Sequence, residues 1–344
     1  MGRQTRILIG RRQVGLTFAL LAACTLLSGR PGPAQDVDAG PALARAVHEG
    51  RLRLSIVTGR LMATTNRPGN YSVNSGSTNL KEQLTVRNTG DDWTLTYDLS
   101  SSQELFSVHV AGGDRIRIRR VPKNGSNRKA VQFVQEDFKP PTLVLGSDQE
   151  QRTYRAANLW LLLIAKKDLC RKHLVPLLER LRANWDLSAI VDNVEKELFR
   201  MAAAGELPSR QRWAQLVDQL ADDRFHRREA ADRELRASGR SVVTYLEQLD
   251  TSRLDAEQQF RIRRIIAAFS SSIDDDTIRQ TASWLAGDPA VWLALLEREQ
   301  ESSRRMAAKQ LECLLERPIS FDPAADRETR KAQIEELRAT IESP

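Results

Sequence analysis

The chain holds 344 residues, 41% of them hydrophobic and 28% charged, with a formal net charge of +7. That composition belongs to a globular protein with a real apolar core, divided into roughly two or three domains. The positive balance invites a nucleic-acid reading. However, residues 1–34 carry five arginines (Arg3, Arg6, Arg11, Arg12, Arg30) and no acid, which leaves only +2 on the remainder and argues against a nucleic-acid partner.

The N-terminus has the order of a secretory signal peptide: basic residues, an apolar run from Val14 to Leu27, then small residues at Gly32 and Ala34. The run is shorter than the roughly 20 residues a membrane span needs. Residues 1–34 are therefore read as a signal peptide, with the mature chain starting at Gln35. Two other readings share this segment. The leader could stay as an anchor, or "LAAC" (Leu21–Cys24) could serve as a lipobox with Cys24 lipidated. The twin arginines Arg11 and Arg12 lack the serine and phenylalanine of a twin-arginine export signal. The expected location is outside the cytoplasm, in the periplasm or cell envelope, as a lipoprotein if Cys24 is modified. Membrane contact is expected only through the leader or that lipid. Outside the cytoplasm Cys170 and Cys313 could pair. They fall in different predicted domains, so free buried thiols are expected.

Residues 35–50 are a short polar linker, read as helical at its end. From 51 to 149 the period is two: "RLRLSIVT", "EQLTVRNT", "DWTLTYDL", "ELFSVHV", "RIRIRRV" and "AVQFVQE" alternate apolar with polar residues, and turn sequences such as "AGGD" and "KNGSN" separate them. Short connections between such runs predict an antiparallel sheet of six to eight strands with one apolar face. The stretch 64–79 reads as one long flexible loop, and "KPPTLVLG" (139–146) as the close of the β region.

Helical spacing begins with "RTYRAANLWLLLIAK" and continues through "VPLLERLRANW" and "LSAIVDNVEKELFRMAA", so residues 150–205 are predicted to pack on the sheet. Inside this part, "KKDLCRKHL" places Cys170 and His173 among Lys166, Lys167, Arg171 and Lys172. A basic setting can activate a thiol, but no third orienting residue is evident, and a half-buried structural cysteine is the preferred reading.

Residues 206–344 are helical throughout, with Asp288-Pro289 and Asp322-Pro323 each expected to cap and begin a helix. The acidic run 274–276 reads as another N-terminal cap. Paired arginines followed by paired alanines recur at Arg227 ("RREAADREL"), Arg263 ("RRIIAAF") and Arg304 ("RRMAAKQL"), 36 and 41 residues apart. Helical-pair repeats have periods of this size. Small residues (Ala230, Ala231, Ala307, Ala308) would let helices approach, and Phe225, Leu235 and Leu311 would fill the seam as the repeat core. The stretch "DRFHRREAADRELRASG", through Asp223, Phe225, Arg228, Ala230, Ala231, Leu235 and Gly239, resembles HEAT-like repeat proteins of bacterial envelopes. His226 and Arg227 depart from the pattern. The resemblance covers about 210–344 and implies an α-solenoid that binds protein; it supplies no catalytic residues.

The expected fold is thus α+β: an antiparallel β-rich domain with covering helices, followed by an all-α HEAT-like solenoid. No phosphate-binding loop, dinucleotide fingerprint, H-E-x-x-H, C-x-x-C or G-x-S-x-G occurs, and the four histidines are scattered, so no cofactor, metal or enzyme activity is expected. The expected function is an exported, non-enzymatic scaffold that binds a protein partner through its repeat surface. The alternative is an envelope protein whose β domain binds an anionic lipid or glycan. Its strip would be Arg115, Arg117 and Arg119 on one strand face, with Arg120, Lys123, Arg128 and Lys129 beside it. The ordinary counterpart of such a strip is a charge-guarded edge strand. An unrecognised hydrolase is a third reading and requires a concave site with converging polar groups.

Overall fold

The computed structural model describes residues 41–342 except 50–51, 66–68, 78, 89–92, 124–128, 138, 148–149, 183, 206–208, 248 and 271–274. The leader, Cys24 and Arg128 lie outside the described residues. An antiparallel β-sheet region is followed by a helical C-terminal part. No helix among the described residues is long and apolar enough to cross a membrane.

A short helix, α1 (Pro41–His48), precedes a hairpin of β1 (Arg53–Val57) and β2 (Arg60–Thr64). Eight further strands then run β3 (Tyr71–Ser77), β4 (Leu80–Asn88), β5 (Trp93–Ser101), β6 (Glu104–Ala111), β7 (Arg115–Pro122), β8 (Val131–Gln135), β9 (Thr142–Ser147) and β10 (Glu150–Arg155). They form one sheet in chain order, each antiparallel to the last. The register places Leu84, Tyr97, Val108, Ile118, Phe133 and Leu143 in one row across six strands. All six are buried, each contributing on the order of 2 kcal/mol of apolar transfer. The row beside it, Gln83, Asp98, Ser107, Arg119 and Gln132, lies on the opposite face and is polar.

Two expected boundaries shift. Residues 71–77 lie in the stretch read as loop, yet they form the edge strand β3, on which Tyr71 and Val73 are half-buried beside the core. Residues 150–155 were expected to open a helix and instead pair with β9. The helix waits for its cap at Asn158, whose side-chain oxygen accepts from the Leu161 N–H at 2.8 Å, so the residues before it are free to extend the sheet.

Four helices follow: α2 (Leu159–Ala165), α3 (Lys167–His173), α4 (Val175–Leu181) and α5 (Leu187–Ala204). Their apolar residues share one core with the inner face of the sheet. Next come α6 (Arg210–Gln219), α7 (Phe225–Ala237), α8 (Ser241–Glu247) and α9 (Ala256–Ser270), which enclose a second core of Trp213, Leu216, Leu235, Val242, Ile262 and their neighbours. Helix α6 packs on α7 and α8 on α9, while α7 lies beside α9. The last helices, α10 (Ile278–Leu285), α11 (Pro289–Leu295), α12 (Glu301–Leu315) and α13 (Arg327–Glu342), return to the first core through Leu285, Trp292, Ala307, Leu311 and Ile334. Helix α10 rests on α5, and α11 on α2. The sheet and the C-terminal helices therefore close a single core, with α6–α9 set beside it. Asp288 caps α11 as expected, accepting from the Ala290 N–H at 2.9 Å. Asp322 does not cap α13; Asp326 does, accepting from the Glu328 and Thr329 N–H groups, so that helix starts at Arg327.

The acidic run is more than a cap. Thr277 caps α10, with Gln280 closing a capping box, while Asp275 and Asp276 join the β1–β2 hairpin to the helices. The Asp276 N–H donates to Ile56 O at 2.8 Å. Its carboxylate accepts from the Thr58 N–H at 2.9 Å, the Gly59 N–H at 2.8 Å, Trp160 Nε1 at 2.9 Å and Arg240 Nη1 at 2.5 Å. Asp275 accepts from the Ile56 N–H at 3.0 Å and Arg182 Nη1 at 2.7 Å. The turn that Asp276 holds has φ of +53° at Thr58 and +71° at Gly59, the left-handed pair of a type I′ hairpin. A Cβ on Gly59 would stand 2.6 Å from the Trp284 ring, so glycine is required there for close approach as well as conformation.

Candidate binding surfaces

The basic strip divides when folded. Period two sends Arg115, Arg117 and Arg119 to the exposed face of β7 and Ile116 and Ile118 to the core. The same period turns Arg120 inward, where it is 5% exposed and its Nη2 donates to Lys129 O at 3.5 Å. Arg120 is thus not part of an exposed strip, a correction that follows from strand parity. Arg115 stands 3.7 Å from Asp137 and Arg117 4.0 Å from Glu136, so carboxylates offset that end. Lys123 bends back to Ser100 Oγ and Ser101 O. Arg119 and Lys129 remain, and neither makes an ion pair among the described residues.

The expected seam residues also divide. Ala231, Leu235, Ala307, Ala308 and Leu311 are buried. Phe225, by contrast, is 64% exposed and Ala230 is exposed. The reason is rotational: with Ala231 and Leu235 turned to the core one turn apart, Phe225 and Ala230 face away. The structural counterpart of Arg304 is Arg228, not Arg227. Arg228 Nη1 donates to the carbonyls six and five residues back, Asp222 O at 2.7 Å and Asp223 O at 3.1 Å. Arg304 Nη1 likewise donates six residues back to Arg298 O at 2.9 Å and five back to Glu299 O. Each arginine pins the loop that precedes its helix, and each is followed at the same intervals by a buried alanine and a buried leucine. The middle copy, "RRIIAAF", has no such role: Arg263, Arg264, Ala267 and Ala268 are exposed on α9, and Ile262 and Ile265 supply its buried face.

Between α7 and α9, Arg261 Nη1 donates to Glu229 at 2.7 Å. On this pair Phe225 and Phe260 are 64% and 49% exposed. Each ring lies under an arginine, Arg228 at 5.8 Å and Arg264 at 5.6 Å. Sequence spacing missed Phe260 because it lies opposite the buried stripe of α9, two residues from both Gln258 and Ile262.

Cys170 is buried and free, its thiol donating weakly to Leu162 O at 3.5 Å. Burial pushes its pKa up to about 12, against a smaller pull from Lys166. It is a packed thiol and not a nucleophile at neutral pH. Cys313 is also free and is exposed, unlike the buried thiol expected there. His173 comes to lie beside a cavity of about 550 Å³ at the end of β7, where Arg119, Lys129 and Arg152 also meet.

A larger cavity, about 730 Å³, opens where the β1–β2 turn meets α6, α8, α10 and α13. Two of its arginines are engaged. Arg240 is held by Asp276 and by Phe269 O, and Arg60 by Glu136 O and Asp114. Asp288, also in its wall, has its carboxyl pushed above the ordinary range by burial.

No family model, curated protein or solved structure matches the chain.

Proposed function

We propose that the protein is an exported, non-enzymatic scaffold, which binds a protein partner on the α7–α9 face through a short HEAT-like array. The observation that carries this reading is the pair of exposed phenylalanines, Phe225 and Phe260, on adjacent helices. Aromatic residues, phenylalanine included, and arginine are enriched at protein interfaces, and a solvated helix would be expected to place charges there instead. The shared arginine-to-carbonyl contacts of Arg228 and Arg304 support a repeat origin for the two helices. Export rests on the leader sequence, with lipidation at Cys24 or an uncleaved anchor as the other outcomes of the same segment.

The test is site-specific photo-crosslinking in cells, with benzoylphenylalanine at position 225 or 260 and at position 83 on the polar sheet face. A discrete protein adduct at both helical positions, absent at position 83, is the expected result; the adduct at 225 should be lost with Phe260→Ser and the adduct at 260 with Phe225→Ser. Adducts at position 83 alone would move the function to the sheet. Fractionation of the same cells reads the location, and a purely cytoplasmic chain would end the export reading.

A further inference from the structure

The cavity beside His173 draws together two stretches that are unrelated in sequence. "RIRIRRV" contributes Arg119, the residues just before β8 contribute Lys129, and "KKDLCRKHL" contributes His173 from α3. Arg152 enters from β10 and stands 3.6 Å from Glu150, the one acidic residue in the lining. Arg120 is buried next to them. The site is therefore cationic by composition, and Arg119 and Lys129 have no counter-ion among the described residues.

Nδ1 of His173 is buried with no hydrogen-bond partner. Burial, with Arg120, Lys172 and Lys129 adding repulsion, also holds the His173 pKa below its ordinary value. An incoming oxyanion would offset the repulsion and neutralise Arg119 and Lys129. The remaining wall is apolar, formed by Val121, Leu145 and Leu169. Its volume of about 550 Å³ falls within the range of small-molecule sites, roughly 300–1,000 Å³.

We propose that this pocket binds the oxyanion head of an amphipathic molecule, with His173, Arg119 and Lys129 on the head and Leu145 and Leu169 on the apolar body. The site is separate from the α7–α9 face and does not depend on it.

The test uses the full chain and dodecyl phosphate below its micelle concentration, with dodecanol as the neutral counterpart. Binding is read by calorimetry and by the His173 ring resonances, assigned with His173→Gln. Saturable one-to-one binding that moves those resonances and raises the His173 pKa is expected. Arg119→Ala with Lys129→Ala, both exposed positions that leave the core intact, should weaken binding about tenfold or more, the loss of one to two charge-assisted contacts. Dodecanol should bind at least about tenfold more weakly. Co-sedimentation with phosphatidylglycerol vesicles but not phosphatidylcholine vesicles, lost in the double variant, would assign the head to a membrane lipid; binding of the monomeric phosphate without sedimentation would assign it to a free amphiphile. Equal binding of dodecanol, unchanged affinity in the double variant or unmoved His173 resonances would each overturn the proposal.

Discussion

Replacing Asp276 with asparagine tests whether one carboxylate holds the hairpin to the helices. Its side chain is 1% exposed. One oxygen accepts from Thr58 N–H and Arg240, the other from Gly59 N–H and Trp160 Nε1. An amide keeps one oxygen and turns the other into a donor, so whichever way it sits, two donors lose their acceptor. Each orphaned donor costs about 1–3 kcal/mol, and Arg240, 13% exposed, loses its counter-charge as well. Breaking a buried pair from one side costs roughly 3–5 kcal/mol. These costs overlap, and about 4 kcal/mol is the expected loss. Asp275→Asn is the control. That residue and Arg182 are 31% and 30% exposed, and the substitution should cost no more than about 1 kcal/mol. Urea unfolding followed by circular dichroism and tryptophan fluorescence measures both. If Asp276→Asn falls within about 1 kcal/mol of the parent, or matches Asp275→Asn, the clamp argument is wrong.

Three further outcomes are expected. Glu82→Gln should destabilise by about 2 kcal/mol, because Glu82 accepts from the Ala42 and Leu43 N–H groups and from the Tyr97 hydroxyl; amide exchange at 42–48 should quicken before exchange in the sheet does. Iodoacetamide at neutral pH should label exposed Cys313 in the native chain and reach Cys170, with its thiol pushed up to about 12, only in denaturant. Asp288→Asn should raise stability at neutral pH. Burial raises the native carboxyl above its unfolded value, so the stability it contributes is complete below the unfolded value and lost as pH rises through the native one. Asparagine keeps the helix cap and removes that loss, which flattens the dependence in a pH series of thermal melts. A fall in stability at neutral pH would show that attraction from Arg210 outweighs burial.

The β region was legible because alternation is a local property: the period that turned Ile116 and Ile118 inward also identified the buried row at Leu84, Tyr97 and Val108. The same rule, carried one residue further, would have placed Arg120 inside. The residues 71–77 escaped because an edge strand with one half-buried face can be mostly Ser, Asn and Gly. On the helices, alanine and leucine spacing picked out Ala231, Leu235, Ala307 and Leu311, but a dipeptide of identical residues cannot say which of the pair faces inward. The exposure of Ala230 and the shift of equivalence from Arg227 to Arg228 therefore could not be read from the pairs themselves. The convergence of His173 with Arg119 and Lys129, and of Asp276 with Thr58, Trp160 and Arg240, left no local trace. These contacts depend on the crossing of elements far apart in the chain.

The bond from Ile56 to Asp275 spans 219 positions, and that from Thr58 to Asp276 spans 218. Pairings this distant slow folding, since the loop must close before the contact repays it. They also impose an order on any process that feeds the chain forward from its N-terminus. The first hairpin made cannot reach its final state until the ninth and tenth helices have followed it, so an emerging chain stays unlocked for most of its passage. Cutting near residue 205 would strip the hairpin of its clamp and the sheet's core of Trp292 and Leu311 together. The halves should be unstable alone and regain order when mixed.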